Sequence, residues 1–286
     1  MPASNRPRRS ALYMPASNAR AIEKAQTLDC DVVILDLEDA VAPDAKEAAR
    51  AAAARAVREG DWGHREVVIR VNRLDTPWGI ADVQAAAEAE PDAILLPKVE
   101  SAAEVMHLEA LMAGVKPGLR SRIWCMIETP RGFLKLEETV FSSPKLGCLV
   151  MGFADLVKDL RAIETVDRQP LHYAMSRAVM AGRAANLDVL DGMYPLIKDE
   201  DGLVRQCRQA REFGFDGKTL IHPSQIAPCN AAFSPSNEEV AQARRIIEAF
   251  EAAEREGRGL AVLDGQMIEA LHAKAARRVV AMAARG

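Results

Sequence analysis

The sequence contains no hydrophobic run long enough to cross a membrane. Across its 286 residues no apolar run approaches the roughly 20 residues of a spanning helix, and the arginine-bearing N-terminus has no hydrophobic stretch typical of a signal peptide. Lys and Arg number 37 against 41 Asp and Glu, a mildly acidic balance that argues against a dedicated nucleic-acid binder. We therefore expect a protein that acts on neither membranes nor nucleic acids.

Paired cysteines and zinc motifs are also missing. The five cysteines form no CxxC pattern, and the sequence has no HxxxH or HExxH motif. Three of the cysteines lie inside apolar runs, which predicts buried free thiols in a reducing, cytoplasmic compartment. A zinc site is therefore not expected.

What the sequence does contain is a regular alternation of short apolar runs and longer Ala-rich helical stretches. Eight such runs occur, at 11–14, 32–35, 67–71, 93–96, 123–127, 146–151, 187–190 and 218–221. Continuous apolar runs are typical of strands covered on both faces, as in a parallel sheet. We predict a (β/α)8 TIM barrel over residues 1–230. The rival, an open doubly wound sheet, lacks a GxGxxG motif after the first strand.

Helix-start patterns support this organisation. Asp44 begins one helical stretch, and Ser101 with Glu104 matches a capping box. The short basic segment from Arg6 to Arg9 is interpreted as a mobile tail.

A C-terminal helical extension is predicted over residues 231–286. Ser236 and Glu239 form a second capping box, which begins a helix that runs to about Arg255. A short extended piece and a turn follow, and then a last amphipathic helix from about Met267. The extension is expected to be too short for a core of its own. Its apolar stripe would therefore pack on a neighbouring subunit: Met267, Ile268, Leu271, Ala275, Val279 and Met282.

Polar residues collect where the predicted strands end. In a (β/α)8 barrel these C-terminal ends form one mouth, where active sites lie. The residues concerned are Asp36, Glu38, Asp39, Arg70, Asn72, Lys98, Glu100, Glu128, Asp155, Asp191 and His222. Glu128 and Asp155 follow adjacent strands and offer the hard oxygen ligands that suit Mg²⁺. The alternative is that both carboxylates are helix caps or salt-bridge partners.

Three basic residues at this mouth allow different roles. Arg70 interrupts an apolar strand and could clamp a substrate carboxylate, or form an internal salt bridge with Asp36 or Glu38. Lys98 could form a Schiff base, although a nearby carboxylate such as Glu100 would oppose the required lowering of its pKa. His222 could bind substrate, move a proton or act as a structural hydrogen-bonding group.

Seven ordered segments together resemble the citrate lyase β-subunit family, within the larger HpcH/HpaI aldolase group that includes malyl-CoA lyases. They are LYMPASN (12–18), DLED (36–39), RVN (70–72), PKVE (97–100), IETP (127–130), GFADL (152–156) and GKTLIHP (217–223). The resemblance covers nearly the whole chain. It implies a (β/α)8 barrel with a C-terminal helical extension, Mg²⁺ as cofactor, coenzyme A (CoA) as part of the substrate, and homotrimeric or homohexameric assembly.

The resemblance also implies roles for individual residues. Glu128 and Asp155 would hold Mg²⁺, and Arg70 would bind the acid end of the substrate. The remaining substrate-binding set that it implies is Tyr13, Lys24, Glu128, Ala154, Ile221 and His222. Asn18 stands where CoA-using relatives often have an arginine, and Arg20 is a candidate to replace it.

Glu269 is the second departure from the family pattern. It lies in GQMIE (265–269), where relatives often carry an aspartate that a neighbouring subunit inserts over the metal site. The resemblance predicts that Glu269 is a catalytic base, and the alternative is a residue that stabilises the N-terminus of the last helix. The implied reaction is reversible, Mg²⁺-dependent cleavage of a malyl- or citryl-type CoA thioester to acetyl-CoA and an oxo acid. A malyl-CoA-type thioesterase and a lyase subunit active only in a larger complex are the alternatives.

Overall fold

The computed structural model describes residues 6–284 of the chain and divides it into two compact units, which meet at residues 230 and 231. The first unit is a closed barrel of eight parallel strands in which each strand pairs with the next and β1 pairs with β8. The predicted TIM barrel is confirmed, and all eight predicted runs are strands. No helix of the described residues is long and apolar enough to cross a membrane.

The elements follow one another along the chain in the alternation that the sequence predicts. The barrel strands are β1 (Ser10–Pro15), β2 (Val32–Asp36), β3 (Glu66–Arg70), β4 (Ala93–Leu96), β5 (Arg122–Ile127), β6 (Leu146–Met151), β7 (Asp188–Asp191) and β8 (Gly217–Leu220). The helices up to the division are α1 (Ala19–Ala25), α2 (Lys46–Glu59), α3 (Gly79–Ala89), α4 (Ala102–Val115), α5 (Pro130–Leu134), α6 (Leu136–Val140), α7 (Phe153–Asp159), α8 (His172–Ala184), α9 (Glu200–Phe213) and α10 (Ile226–Phe233).

The barrel interior is filled by every second residue of its strands. Examples are Val32 and Ile34 of β2, and Trp124 and Met126 of β5. Because side chains alternate along a strand, the next inward positions are Asp36 on β2, Arg70 on β3 and Glu128 after β5. The polar residues of the mouth are therefore the top layer of the same inward-facing rows that form the core.

The opposite, N-terminal end of the barrel is closed by a buried ion-pair network. Arg8 is buried, and its guanidinium donates to Glu66 and to Asp188 at 2.7 Å each. Arg9 donates to Asp31 at 2.8 Å. The interpretation of this segment as a mobile tail was therefore wrong. Arg8 and Arg9 are held in place by ion pairs with acidic residues that are distant in the sequence.

The second unit consists of two helices and a hairpin. Its elements are α11 (Asn237–Arg255), β9 (Leu260–Leu263), β10 (Gln266–Glu269) and α12 (Ala270–Ala283). The capping boxes at Ser236 and, on α4, at Ser101 are both present. The predicted helix start at Met267 was wrong. Asp264 and Gly265 adopt positive φ angles of 52° and 80°, which suit a two-residue hairpin turn, so the chain reverses into β10.

The extension also has a small core, contrary to expectation. It is formed by Phe250, Ala253, Ala261, Ile268 and Ala273. Because residues 266–269 are a strand, the buried face of α12 falls on Ala273 and Ala276, and Met267 and Leu271 are exposed. Met267 and Ile268 therefore do not belong to a helical stripe, whereas Leu271 and Ala275 lie exposed on α12, and the packing of this face on a neighbouring subunit stays a prediction.

All five cysteines are buried and free, as the sequence predicts.

Candidate active site

Arg70 and Asp36 form the centre of the barrel mouth. They are register partners on β3 and β2, and Nε and Nη2 of Arg70 each lie 2.6 Å from a different oxygen of Asp36. The ring of Tyr13 lies against the guanidinium, 4.8 Å from its central carbon. The internal salt bridge considered for Arg70 is thus present, and it occupies one full edge of the guanidinium.

The remaining nitrogen, Nη1 of Arg70, faces further acceptors. It lies 2.9 Å from Oε2 of Glu38 and 3.8 Å from Asp39. Oε2 of Glu38 is buried and accepts no hydrogen bond from the described residues, and burial raises the pKa of this carboxyl. An incoming oxygen-rich ligand would meet the edge of the guanidinium that carries Nη1, beside Glu38.

Lys98 bridges two sides of the mouth. Its Nζ lies 3.5 Å from Glu38 and 3.4 Å from Asp155. Desolvation by itself would lower the pKa of Lys98. The net effect of Glu38, Asp39, Glu128 and Asp155 is to raise the pKa of Lys98, which disfavours a Schiff base. The sequence correctly predicted that carboxylates oppose a lowering of the pKa of Lys98. It named the wrong carboxylate, because Glu100 lies near Arg131.

Glu128 is a buried carboxylate held by the backbone. Its Oε1 accepts a hydrogen bond from the N–H of Lys98 at 2.8 Å, and Lys98 adopts a left-handed φ of 50° there. Burial, reinforced by Glu38, raises the pKa of Glu128 to about 7. Gly152 makes the room: a Cβ at this position would lie 2.3 Å from Oε2 of Glu128. The glycine after β6 therefore determines where the carboxylate after β5 can sit.

Asp155 lies in the first turn of α7, and its side chain is only partly buried. A helix N-terminus stabilises a carboxylate there. Ala154, beside it, is exposed at the same helix start. Lys98 connects the Asp155 carboxylate to Glu38, so the residues that follow β2, β4 and β6 meet at one place.

The donor set suits a hard divalent cation that keeps several non-protein ligands. Between residues 6 and 284, no set of three or more His, Cys, Asp or Glu side chains is arranged around a metal position. Glu128 and Asp155 could supply two oxygens, with water or substrate completing the shell as Mg²⁺ usually requires. Burial, reinforced by Glu38, raises the pKa of Glu128, and a cation bound beside this carboxylate would favour its ionised form.

The other predicted substrate-binding residues lie in different surroundings. The hydroxyl of Tyr13 is 3.8 Å from Sδ of Met126, inside the barrel. Lys24 is exposed on α1, and Ile221 is exposed after β8. His222 Nδ1 interacts with the hydroxyl and the N–H of Ser224, so this ring caps its own turn. Of this set, the structure brings Tyr13 and Glu128 to the residues around Arg70.

Glu269 lies in the second unit, at the end of β10 and at the N-cap of α12. Its backbone N–H donates to Nδ1 of His272 at 3.0 Å. In the hairpin register Glu269 is opposite Leu260, and Met267 is opposite Val262. These four residues therefore share one face of the hairpin, while Ala261 and Ile268 on the other face are buried.

Two residues that support the mouth escaped the sequence reasoning. Nζ of Lys46 donates to the carbonyl oxygens of Leu37 and Glu38 and to Oδ1 of Asn72, at 2.7–2.8 Å. Nothing in the helical pattern of α2 marks Lys46 as different from its neighbours. Gly152 was quoted within a motif, but its contact with Glu128 depends on the packing of adjacent strands.

Comparisons with known proteins agree with this geometry. The chain is 47% identical over 277 residues to a (3S)-malyl-CoA thioesterase of Cereibacter sphaeroides, covering 97% of this chain and 95% of that protein. It is 32% identical over 284 residues to the citrate lyase subunit beta of Escherichia coli, covering 97% and 94%.

A solved structure with the same fold is CitE of Mycobacterium tuberculosis in complex with magnesium, acetoacetate and coenzyme A. It shares 31% identity and a TM-score of 0.81, covering 98% of this chain and 100% of that chain. The model of the HpcH/HpaI aldolase/citrate lyase family matches residues 9–223. The predicted resemblance is confirmed, and the chain belongs to the HpcH/HpaI aldolase/citrate lyase family.

Proposed function

We propose that this protein is a Mg²⁺-dependent enzyme that hydrolyses the thioester of a malyl-type 3-hydroxyacyl-CoA. The observation that carries the proposal is the junction of Arg70, Lys98, Glu128 and Asp155 at one barrel mouth, where cationic nitrogens and carboxylate oxygens converge. The malyl-CoA thioesterase that is 47% identical over nearly the full length supports the hydrolytic reaction. The relative that contains magnesium and coenzyme A supports the cofactor and the acyl carrier.

The residues of the mouth divide the work. Glu128 and Asp155 would hold the Mg²⁺, which polarises a carbonyl oxygen when bound. Nη1 of Arg70 and the ammonium of Lys98 would orient the substrate carboxylate, since both are positioned before the substrate arrives. The ring of Tyr13 packs against the guanidinium of Arg70 and restricts its orientation. Tyr13, Lys24, Ala154, Ile221 and His222 remain the predicted wall of the acyl-CoA pocket.

The base that we assign is Glu269. In hydrolysis it accepts a proton from water as the water oxygen bonds to the thioester carbon, and the carbon–sulfur bond breaks to release the CoA thiolate. In the second candidate reaction, reversible C–C bond formation, the same carboxylate takes a proton from the methyl group of acetyl-CoA, the resulting enolate carbon bonds to the oxo carbon, and the oxo oxygen takes a proton from water. Cleavage is the reverse. The citrate lyase β-subunit relatives favour this second reaction.

We propose that Glu269 acts in a homo-oligomer, at the mouth of a second copy. The hairpin face that carries Glu269 exposes Leu260, Val262 and Met267. A matching apolar rim lies on the loops after three consecutive barrel strands: Leu160, Ile163, Val166, Leu196, Ile197 and Ile221 are all exposed there. Two exposed apolar surfaces on one chain favour their mutual burial between copies. Such burial would also shield the reaction from bulk water.

One assay distinguishes the candidate reactions. The purified protein is incubated with malyl-CoA and Mg²⁺, and CoA thiol, malate, acetyl-CoA and glyoxylate are followed together. We expect thiol and malate in equal amounts without acetyl-CoA, loss of turnover in excess chelator, and recovery with Mg²⁺. Acetyl-CoA with glyoxylate would establish the lyase reaction instead.

Two other outcomes would overturn the proposal that this chain acts without partner proteins as a Mg²⁺-dependent enzyme. No turnover of malyl- or citryl-CoA by the chain alone, with activity after partner subunits are added, would establish a complex-bound lyase subunit. Full activity in chelator, with borohydride trapping of an imine at Lys98, would establish a Schiff-base enzyme.

A further inference from the structure

A cavity lies at the N-terminal end of the barrel, away from the mouth. Its volume is about 1300 Å³, and it is lined by residues at the beginnings of β3, β4, β5 and β6. Cavities of several hundred Å³ already hold drug-sized ligands. The space is therefore large enough for an organic molecule of nucleotide size.

The carboxylates that line this cavity are already neutralised. Both oxygens of Glu66 accept from Arg8 at 2.7 Å, and Asp92 accepts from Arg6 at 3.0 Å. The third, Glu90, is paired with Lys116. The acidic side chains of the wall are therefore not available to balance further positive charge.

Three arginines of the same wall lack such a partner. Within the described part of the chain, no carboxylate forms an ion pair with Arg65, Arg120 or Arg122. Arg122 donates to the carbonyl oxygen of Leu146 at 2.6 Å, and Arg65 donates to two backbone carbonyls. Arg120 is exposed. The wall carries five arginines against three carboxylates, a net charge of about +2, and a concave wall focuses this charge inward.

Of these three arginines, Arg122 is the one whose burial without an ion-pair partner most needs an explanation. It is half-buried at the start of β5, and burial together with the neighbouring Arg8 lowers its pKa. Arg120 precedes it by two residues along the chain, and both residues line this cavity. Like charges held together in a partly dry wall favour an anion that both can bind, and guanidinium groups match phosphate oxygens in bidentate geometry.

The apolar part of the wall fits the body of such a ligand. The ring of Phe141, at the end of α6, lines the cavity and is 66% exposed. Val140 and Leu146 line the same cavity and are buried. We propose that this cavity binds a phosphorylated organic anion of nucleotide size, with its phosphates on Arg120 and Arg122 and its ring system against Phe141.

The test uses the full-length protein in chelator, with ADP as the probe and inorganic pyrophosphate and malonate as comparisons. Calorimetric titration should give a saturable site for ADP, weaker binding of pyrophosphate because it has no ring system, and little binding of malonate. Added NaCl should weaken the binding of ADP, since the attraction is largely electrostatic. Equal affinity for malonate and ADP would overturn the assignment to phosphate.

Variants locate the site. Arg122→Gln should weaken ADP binding by roughly tenfold or more, as expected for loss of a charge-assisted contact. Arg120→Gln, on an exposed side chain that the fold does not need, should weaken it by about threefold. The matched control is Arg55→Gln, an exposed arginine of α2 outside this cavity, which should leave binding unchanged.

ADP resembles part of CoA, so the mouth must be separated from this cavity. CoA titrated into ADP-saturated protein should bind without displacing ADP. Displacement of ADP by CoA, or ADP binding that neither Arg122→Gln nor Arg120→Gln weakens, would place the nucleotide elsewhere and overturn the proposal. So would the absence of any ADP binding by wild-type protein.

Discussion

Arg70 and Asp36 face each other across β3 and β2 as register partners, and two guanidinium nitrogens lie 2.6 Å from the two oxygens of Asp36. Both side chains are buried. A buried ion pair of this geometry is costly to break, because the partner left behind is desolvated and unpaired. Asp36 therefore holds Arg70 in position, and the edge of the guanidinium that carries Nη1 faces the mouth.

Replacing Arg70 by lysine should separate these two functions. Arg70→Lys keeps the charge but loses the two-pronged contact with Asp36, so we expect loss of stability by about 1–3 kcal/mol. Affinity for the substrate carboxylate should fall as well, as measured by KM for malyl-CoA. Arg73→Lys is the matched control, since Arg73 pairs with the exposed Asp75. Unchanged KM in Arg70→Lys would remove Arg70 from substrate binding.

Gly152→Ala tests the contact that positions Glu128. The new methyl group would overlap the Glu128 carboxylate, so Mg²⁺ affinity should fall by roughly tenfold or more, an effect of about 1.4 kcal/mol or larger. Isothermal titration with Mg²⁺ measures this directly. Gly114→Ala on α4 is the control, because a Cβ there meets nothing within 4 Å. Wild-type Mg²⁺ affinity in Gly152→Ala would show that Glu128 is not a ligand.

The pKa of Glu128 predicts how the stability of the metal-free protein depends on pH. Burial raises this pKa from 4.5 to about 7, so its protonated form is the one that folding favours. The contribution is complete below about pH 4.5 and is lost as the pH rises through about 7. Between pH 5.5 and 8, wild type in chelator should lose about 2 kcal/mol more stability than Glu128→Gln, which cannot titrate. Denaturant unfolding at both pH values checks this, and parallel losses would contradict it.

Two inactive variants test whether Glu269 acts between subunits. Asp155→Asn and Glu269→Ala should each abolish turnover alone. Co-expressed, they should regain roughly a quarter of wild-type activity, because random assembly joins an intact Asp155 to an intact Glu269 at about that fraction of sites. The double variant co-expressed with either single variant is the control. Full activity of Glu269→Ala would support the helix-cap role instead.

Arg8→Met should destabilise the barrel from its N-terminal end. It would leave Glu66 buried without its cation and remove a partner of Asp188, at a cost of about 3–5 kcal/mol. Arg6→Met removes a solvent-exposed ion pair with Asp92 and should cost less than about 1 kcal/mol. Thermal and denaturant unfolding compare the two. Equal effects would mean that the Arg8 network adds little to stability.

The sequence by itself determined the barrel and the inventory of its mouth. Eight apolar runs, separated by capped helices, can bury both faces of each strand only in a covered parallel sheet, and strand ends in such a barrel share one face. Arg70, Glu128 and Asp155 could therefore be named before their distances were known. The ordered motifs also identified the family.

Only the tertiary structure decided which partner each charged group takes. The guanidinium of Arg70 faces Asp36 because β2 and β3 pair in register, and Glu128 fits because Gly152, which follows the adjacent strand β6, has no side chain. Arg8 is buried because Glu66 and Asp188 converge on it from distant parts of the chain. The turn at Asp264 and Gly265 was expected, but only the structure showed that residues 266–269 after it form a second strand and not the start of a helix. Local sequence patterns predict helices and strands from their periodicity. Which charged groups form pairs depends on the elements that the closed barrel brings within a few ångströms of one another.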